Sequence, residues 1–540
     1  MEYKSKFLKI ILMGFFMGRV FTQSAPFNVL LEPVNIKGLG GLQSFAFGQH
    51  EGKWLIVGGR LDGLHRRQPF AAFDLAGHNT QLIVVDPFNL QTWTSSISSL
   101  PSAIQEQLKS TNMEFYQEGN TLYVVGGYGY SAMEGDHTTF GTLTAIDVPA
   151  TINAIIKHSE IKQFVRQISN PLFQVTGGHL EKIYDNYYLV GGQKFIGRYN
   201  PMGPTHGPGF TQDYTNQIRK FKLDDDGTNL VVQALASFTD AANLHRRDYN
   251  VTAQILPNGE EGLTAFSGVF QTDFDLPYLN CVNIDSQGYQ VNNDFSQYYN
   301  HYHCAHVPIY SKLKNEMHTL FFGGIAQYYD SAGILVQDNN VPFVKTIARV
   351  TRDSRGVMAE YKLPTEMPAL LGAGSEFILS EKIAVYDNGV IKLDEIINDT
   401  SDLGYIFGGI SSSSANIFWV NDGVESAASS QIFKVKLIRN SSTRIHEINE
   451  QSYGSLKLMA YPNPNDGNFI LKYHLKKSTD VKISIYSIQG RIIETKIFLN
   501  MPPGDHSYER RMDAQVKEGG CLLVVETDYE KATQKIIIEP

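Results

Sequence analysis

The chain has 540 residues, too many for one ordinary domain, and its 42% hydrophobic and 19% charged side chains mark a globular protein. A formal net charge of −9, with no basic run interleaved with aromatics, excludes the usual nucleic-acid binder. Tyr (28) and Phe (31) far outnumber Trp (3), and Gly reaches 47, which favours strands and tight turns over helices.

Residues 1–24 read as a cleavable signal peptide. Lys4, Lys6 and Lys9 make a positive start, Ile10 to Phe16 a short apolar centre, and Thr22 to Ala25 a small or polar exit. The apolar run falls short of the roughly 18–20 residues that span a bilayer, and Arg19 interrupts it. No other segment is apolar enough to cross, so the mature chain is expected to have no transmembrane segment. The Sec translocon is the expected first partner.

From residue 25 to 449 one pattern recurs. A hydrophobic run ends in a glycine pair at Leu55–Gly59, Leu122–Gly127, Tyr188–Gly192, Leu320–Gly324 and Tyr405–Gly409, with a degenerate copy at Leu263–Gly268. From Gly59 to Gly409 there are five steps with a mean of about 70 residues. Each copy is followed by a loop and a second apolar run, as in Leu82–Val85, Ile218–Phe221, Cys281–Ile284, Ile347–Val350 and Ile432–Val435. Turns rich in Asp, Asn and Gly join these runs, as tight hairpins require. Strand, glycine pair, loop and strand, with a distal Trp93 in the first copy, resemble the kelch repeat. The resemblance covers roughly residues 40–449 and implies an all-β fold, a six-bladed kelch-like β-propeller of four-stranded blades.

In such blades the second-to-third loops and the inter-blade loops leave from one edge, so several segments should crowd one rim. The duplicated Leu-His-Arg-Arg at 64–67 and 244–247 supplies His65, Arg66, Arg67, Arg246 and Arg247, and the third long loop adds His206. Arginines on a concave face offer bidentate recognition of carboxylate, sulfate or phosphate. Equally, they tie blades together through Asp side chains or backbone carbonyls, and both readings stay open. His301, His303 and His306 are a candidate transition-metal set, although in a strand 301 and 303 share one face and 306 takes the other. Cys281 and Cys304 both begin strands at the same edge and are a possible disulfide. No nucleophile motif, zincin helix or phosphate loop occurs, so no catalytic residue is assigned and no cofactor is expected.

Residues 450–456 read as a linker, and 457–540 change character. Tyr461, Pro462, Asn463, Pro464 and Gly467 form a turn-rich opening, followed by alternating runs at Phe469–Tyr473 and Val481–Tyr486. The chain closes with Gly519-Gly520-Cys521-Leu522-Leu523-Val524-Val525 and Gln534–Ile538. This suits a small Ig-like β-sandwich. It resembles the C-terminal (Por) sorting domain of the type IX secretion system, with Cys521 standing where that family usually has Tyr. The resemblance implies a Bacteroidota-type bacterium, Sec export to the periplasm, and passage through the type IX machinery with removal of the domain. Release or attachment at the cell surface would follow.

Two functions fit. One is a non-catalytic propeller that binds an extracellular glycan, protein or envelope component, and the other is a propeller enzyme acting on a carbohydrate. A pair of carboxylates or a His/carboxylate cluster at the central pit would favour the enzyme; a broad aromatic and Arg surface without such a pair would favour binding.

Overall fold

The computed structural model describes residues 26–66, 71–200, 209–331, 333–439, 456, 458–463, 465, 468–487, 492–511 and 519–538. The expected signal peptide, together with Arg67, His206, Pro464 and Gly467, lies outside them. The described residues are nearly all β and fall into two units, one spanning Phe27–Ile438 and one in the segment from Arg439 onward. Among the described residues, no helix is long and apolar enough to cross a membrane.

The larger unit contains six sheets, each built on four strands, and the fifth also takes a short parallel strand, Ile391–Lys392. The first runs Ala46–His50, Lys53–Val57, Gln81–Asp86, Gln91–Ser96, and the second Glu114–Glu118, Thr121–Val125, Thr142–Asp147, Val165–Ser169. The third is His179–Ile183, Asn186–Val190, Gln217–Asp225, Leu230–Ala234, and the fourth Asn250–Ile255, Glu261–Phe266, Cys281–Ile284, Tyr289–Asn292. The fifth is His306–Ser311, Glu316–Phe322, Thr346–Arg352, Met358–Glu366. The sixth takes three strands in order, Ser375–Leu379, Thr400–Gly408 and Ile432–Arg439, and receives its fourth from the far end of the unit, Phe27–Val34.

Apolar clusters lie between consecutive sheets. Leu55, Val57 and Val84 of the first sheet meet Leu122, Val124 and Ile146 of the second, while Trp54 and Ile56 on the other face of the first meet Ile378 and Phe407 of the sixth. A strand buried on both faces reads as a continuous apolar run, which is why Trp54-Leu55-Ile56-Val57 shows no alternation. Burying each such side chain contributes about 1.5–3 kcal/mol.

The glycine pairs end second strands because two conditions meet there. Gly126 and Gly127 have φ of +62° and +91°, and a Cβ on Gly126 would lie 2.1 Å from the Val175 carbonyl oxygen of the chain entering the third sheet. The amide of the second glycine then donates to that neighbouring entry segment: Gly59 to Ser110, Gly127 to Val175, Gly192 to Arg246, Gly324 to Leu371, and Gly409 back to Leu42. In the degenerate copy Ser267 itself takes a left-handed φ of +55°. After four of the pairs the chain runs out into a two-stranded ribbon before returning, as at Gln193–Gly197 with Phe210–Tyr214. The repeat pattern had no signal for these ribbons.

The C-terminal unit has a sheet of Met459–Tyr461, Asn468–Leu475 and Gly504–Arg511, and another of Ile492–Met501, Thr479–Ser487, Gly519–Thr527 and Lys531–Ile538. Phe469, Leu471 and Tyr473 from one and Ile483, Leu523 and Ile536 from the other share one apolar cluster, which also takes in Cys521. Alternation along Asn468–Leu475 sends every second side chain into it. Asn463 accepts from the Ile537 amide at 2.7 Å and Asn465 donates to the Ile537 carbonyl at 2.9 Å, so the opening turn pins the final strand.

Candidate functional site

Six residues just ahead of the six first strands adopt left-handed backbone: Ser44, Asn112, Gly177, Asp248, His303 and Gly374, with φ from +24° to +70°. Their amides link them in series. Asn112 donates to Ser44, Gly177 to Asn112, Asp248 to Gly177, Gly374 to His303, and Ser44 to Gly374, at 2.6–3.1 Å. The left-handed turn aims each amide sideways at the next sheet's entry, and the bonds bring the first strands side by side.

A cavity of about 630 Å³ runs along these strands from this ring. Among the described residues, no Lys or Arg lines it. Four glutamates do (Glu114, Glu181, Glu376, Glu381), with His50, His179, His303 and His306 and the rings of Phe47, Phe115, Tyr116 and Phe377.

Burial of the lining side chains sets their charge states. Glu114 is 1% exposed, and burial pushes its carboxyl up to about 8 against the opposing pull of the Gly178 amide, which donates to Oε1 at 2.8 Å, and of Arg219 and His303. Burial likewise pushes Glu181 up to about 8. His179 is driven down to about 3 by burial and by the nearby His303 and His306, and its Nε2 donates to the Tyr249 carbonyl at 2.6 Å. His303 goes the other way. Burial lowers it, but Glu376, whose Oε1 lies 3.3 Å from Nε2, outweighs that and holds the imidazole above its ordinary value. Burial lowers His306, whose Nδ1 lies 3.0 Å from the Cys304 carbonyl.

Of the three histidines considered as a metal set, His303 and His306 share this cavity and His301 does not. His301 is fully buried, bonds the Gly323 carbonyl at 2.7 Å through Nδ1 and stacks on Phe321 with ring centroids 5.4 Å apart. Among the described residues, no group of three or more His, Cys, Asp or Glu is arranged to hold a metal ion. Cys281 and Cys304, the possible disulfide, are free thiols: the Cys281 sulfur faces Met358 Sδ at 3.7 Å and the Cys304 sulfur faces Asn250 Nδ2 at 3.9 Å. Burial pushes both thiols up to about 12, which leaves them protonated.

The duplicated Leu-His-Arg-Arg segments end up in different surroundings. His65 sits against Phe73 and Tyr199, and Arg66 is exposed beside Gly423. His245 stacks on Tyr214 at 3.6 Å. Arg247 donates to the Tyr214 hydroxyl at 2.9 Å and pairs with Asp248. Arg246 is 1% exposed and spends its guanidinium on the Asn243, Ser267 and Asn280 carbonyls and the Asn280 side chain, so this arginine is a tie.

Glu114, Glu181, Glu376 and His179 were not singled out by sequence. The signal that could have found them is register: Ala46–His50, Glu114–Glu118, His179–Ile183 and Asn250–Ile255 each begin two residues beyond a left-handed residue of the ring. Aligning the repeats there puts Glu114, His179 and Glu376, all of which line the cavity, at one equivalent position.

Comparison with known proteins bears on the tail. Residues 459–539 match the family described as "Secretion system C-terminal sorting domain". The match gives the route. It indicates export through the type IX secretion machinery to the cell surface or extracellular space. No curated protein matches the chain. Among solved structures, one titled "Structure of YjhT" is similar at 11% identity over 61% of this chain and 99% of that one. Its TM-score is 0.28, too loose a likeness to bear on fold or function.

Proposed function

We propose that the unit Phe27–Ile438 is a six-bladed, kelch-like β-propeller that binds an extracellular ligand in the cavity along its axis. In this reading a signal peptide is lost at the inner membrane and an Ig-like sorting sandwich at the outer one. Six successive meanders, apolar clusters between neighbours, and amides that run from the last sheet back to the first support the propeller. One observation carries the binding reading: a cavity of about 630 Å³, the size of a small-ligand site, lined by polar groups from several sheets.

A broad screen of glycans and metabolites against the secreted protein tests it. Glu181→Trp, which fills the lumen, should abolish the response, whereas Trp419→Ala on an exposed loop should leave it unchanged. The reverse result overturns the reading. Deleting residues 456–540 should strand the protein in the periplasm, and fractionation that finds the truncated form at the surface contradicts the tail's role.

The second reading, an enzyme acting on a carbohydrate, is favoured by the glutamates and histidines clustered in the cavity, the feature named above as its mark. Glu114 keeps its proton near neutral pH while His303 and Glu376 form a polar pair in the same cavity, so groups suited to giving and taking a proton share a lumen. If the screened ligand is turned over, and Glu114→Gln and Glu376→Gln each stop turnover without abolishing binding, catalysis replaces simple binding.

A further inference from the structure

We infer that the ligand of the axial cavity carries a protonated amine, an inference that rests on the cavity being the binding site. The lining is one-sided: four glutamates and, among the described residues, no Lys or Arg. An anionic ligand would meet no permanent cation there. The one imidazole held above its ordinary value, His303, is already engaged by Glu376. A cation meets the opposite situation. Phe47, Phe115, Tyr116 and Phe377 also line the cavity, and aromatic rings tolerate an ammonium where they repel an anion. Glu114, 1% exposed, has an Oε2 with no hydrogen-bond partner, and an ammonium has three protons to donate.

Burial keeps both glutamates protonated: at Glu114 it outweighs the Gly178 amide, Arg219 and His303, and at Glu181 no positive group opposes it. The groups facing Glu114 are Arg219 and His303, and Tyr116 faces Glu181; neither glutamate has an ion-pair partner among the described residues. An arriving ammonium supplies the missing positive charge, so a carboxyl ionises as the ligand binds. The proton leaves to solvent, and the ammonium stays paired with the carboxylate. Affinity therefore rises with pH across the range in which these acids hold protons while the ligand keeps its charge.

Calorimetric titration of the full secreted chain tests this with three probes: spermidine, glucosamine oligomers at pH 6, and their N-acetylated counterparts. The expected result is binding of one or both free-amine probes and none of the acetylated ones. Spermidine would distinguish a polyamine from an amino sugar. Heats measured in two buffers of different ionisation enthalpy should show release of about one proton per site, with spermidine affinity rising up to about tenfold per pH unit between pH 6 and 8. Glu181→Gln should weaken binding at least about tenfold without lowering the melting temperature, and Glu181→Arg should abolish it. Equal or tighter binding of the acetylated oligomers, indifferent to Glu181→Gln, overturns the amine while the cavity reading survives through Glu181→Trp. Failure of every amine probe overturns the amine inference as well, and the broad screen then judges the cavity by itself.

Discussion

Leu64-His65-Arg66-Arg67 and Leu244-His245-Arg246-Arg247 are the same four residues placed in two settings. The first lies in a loop between the second and third strands of its sheet, where Arg66 is exposed. The second lies just before the first strand of the fourth sheet, where Arg246 is surrounded by carbonyls. That sheet is also the one whose glycine pair is degenerate. Arg246 donates to the carbonyl of Ser267, the residue standing in for the missing glycine, and its own carbonyl receives the Gly192 amide. The side chain thus supplies a link where the backbone pattern lapses. What an arginine does in this chain follows from the unpaired acceptors around it, not from the residues beside it.

The largest effect that could break this contrast is Arg246→Ala. It should lower unfolding free energy by at least about 3 kcal/mol in denaturant titration, because charge-assisted hydrogen bonds contribute about 1.5–3 kcal/mol each and the carbonyls are left dry. Arg246→Lys, which keeps charge but loses the planar fork, should cost about 1–3 kcal/mol.

Glu114 extends the comparison to a buried acid. Its folded pKa, about 8, lies above the unfolded value of 4.5, so the folded state binds more protons between those values and stability falls as pH rises through that window. The slope should approach about 1.4 kcal/mol per pH unit, and melting curves of Glu114→Gln should lose that component. Smallest of all, Arg66→Ala should change stability by less than about 0.5 kcal/mol. If it costs as much as Arg246→Ala, the contrast between the two settings collapses.

Much of the architecture was legible because it is local and periodic. Apolar runs ending at Gly58-Gly59 or Gly323-Gly324, and the alternation along Asn468–Leu475, announce strands wherever they stand. The cavity was not legible, for a physical reason. Glu114, His179 and Glu376 sit in separate sheets, and no spacing within any one strand marks a residue that lines a cavity shared with other sheets. Arg246 and Arg66 could not be told apart for the same reason, since their sequence neighbours are identical. Cys281 begins a strand and Cys304 lies two residues ahead of one, and each sulfur is taken up by a different partner, Met358 and Asn250.

The pairing of Phe27–Val34 with Ile432–Arg439 makes the sixth sheet a buckle. Lys436 reaches Glu32 at 2.8 Å across 404 positions of chain. A polypeptide threading through a membrane from its N-terminus holds one half of that buckle from the start and the other only when nearly all of the unit has emerged. Until then the belt hangs open, and long-range closure of this kind is slow. Once fastened, Ile432–Arg439 is gripped on both flanks, by Thr400–Gly408 and by Phe27–Val34. Every strand of this sheet lies within Phe27–Arg439, so the fastening is complete before the C-terminal sheets begin.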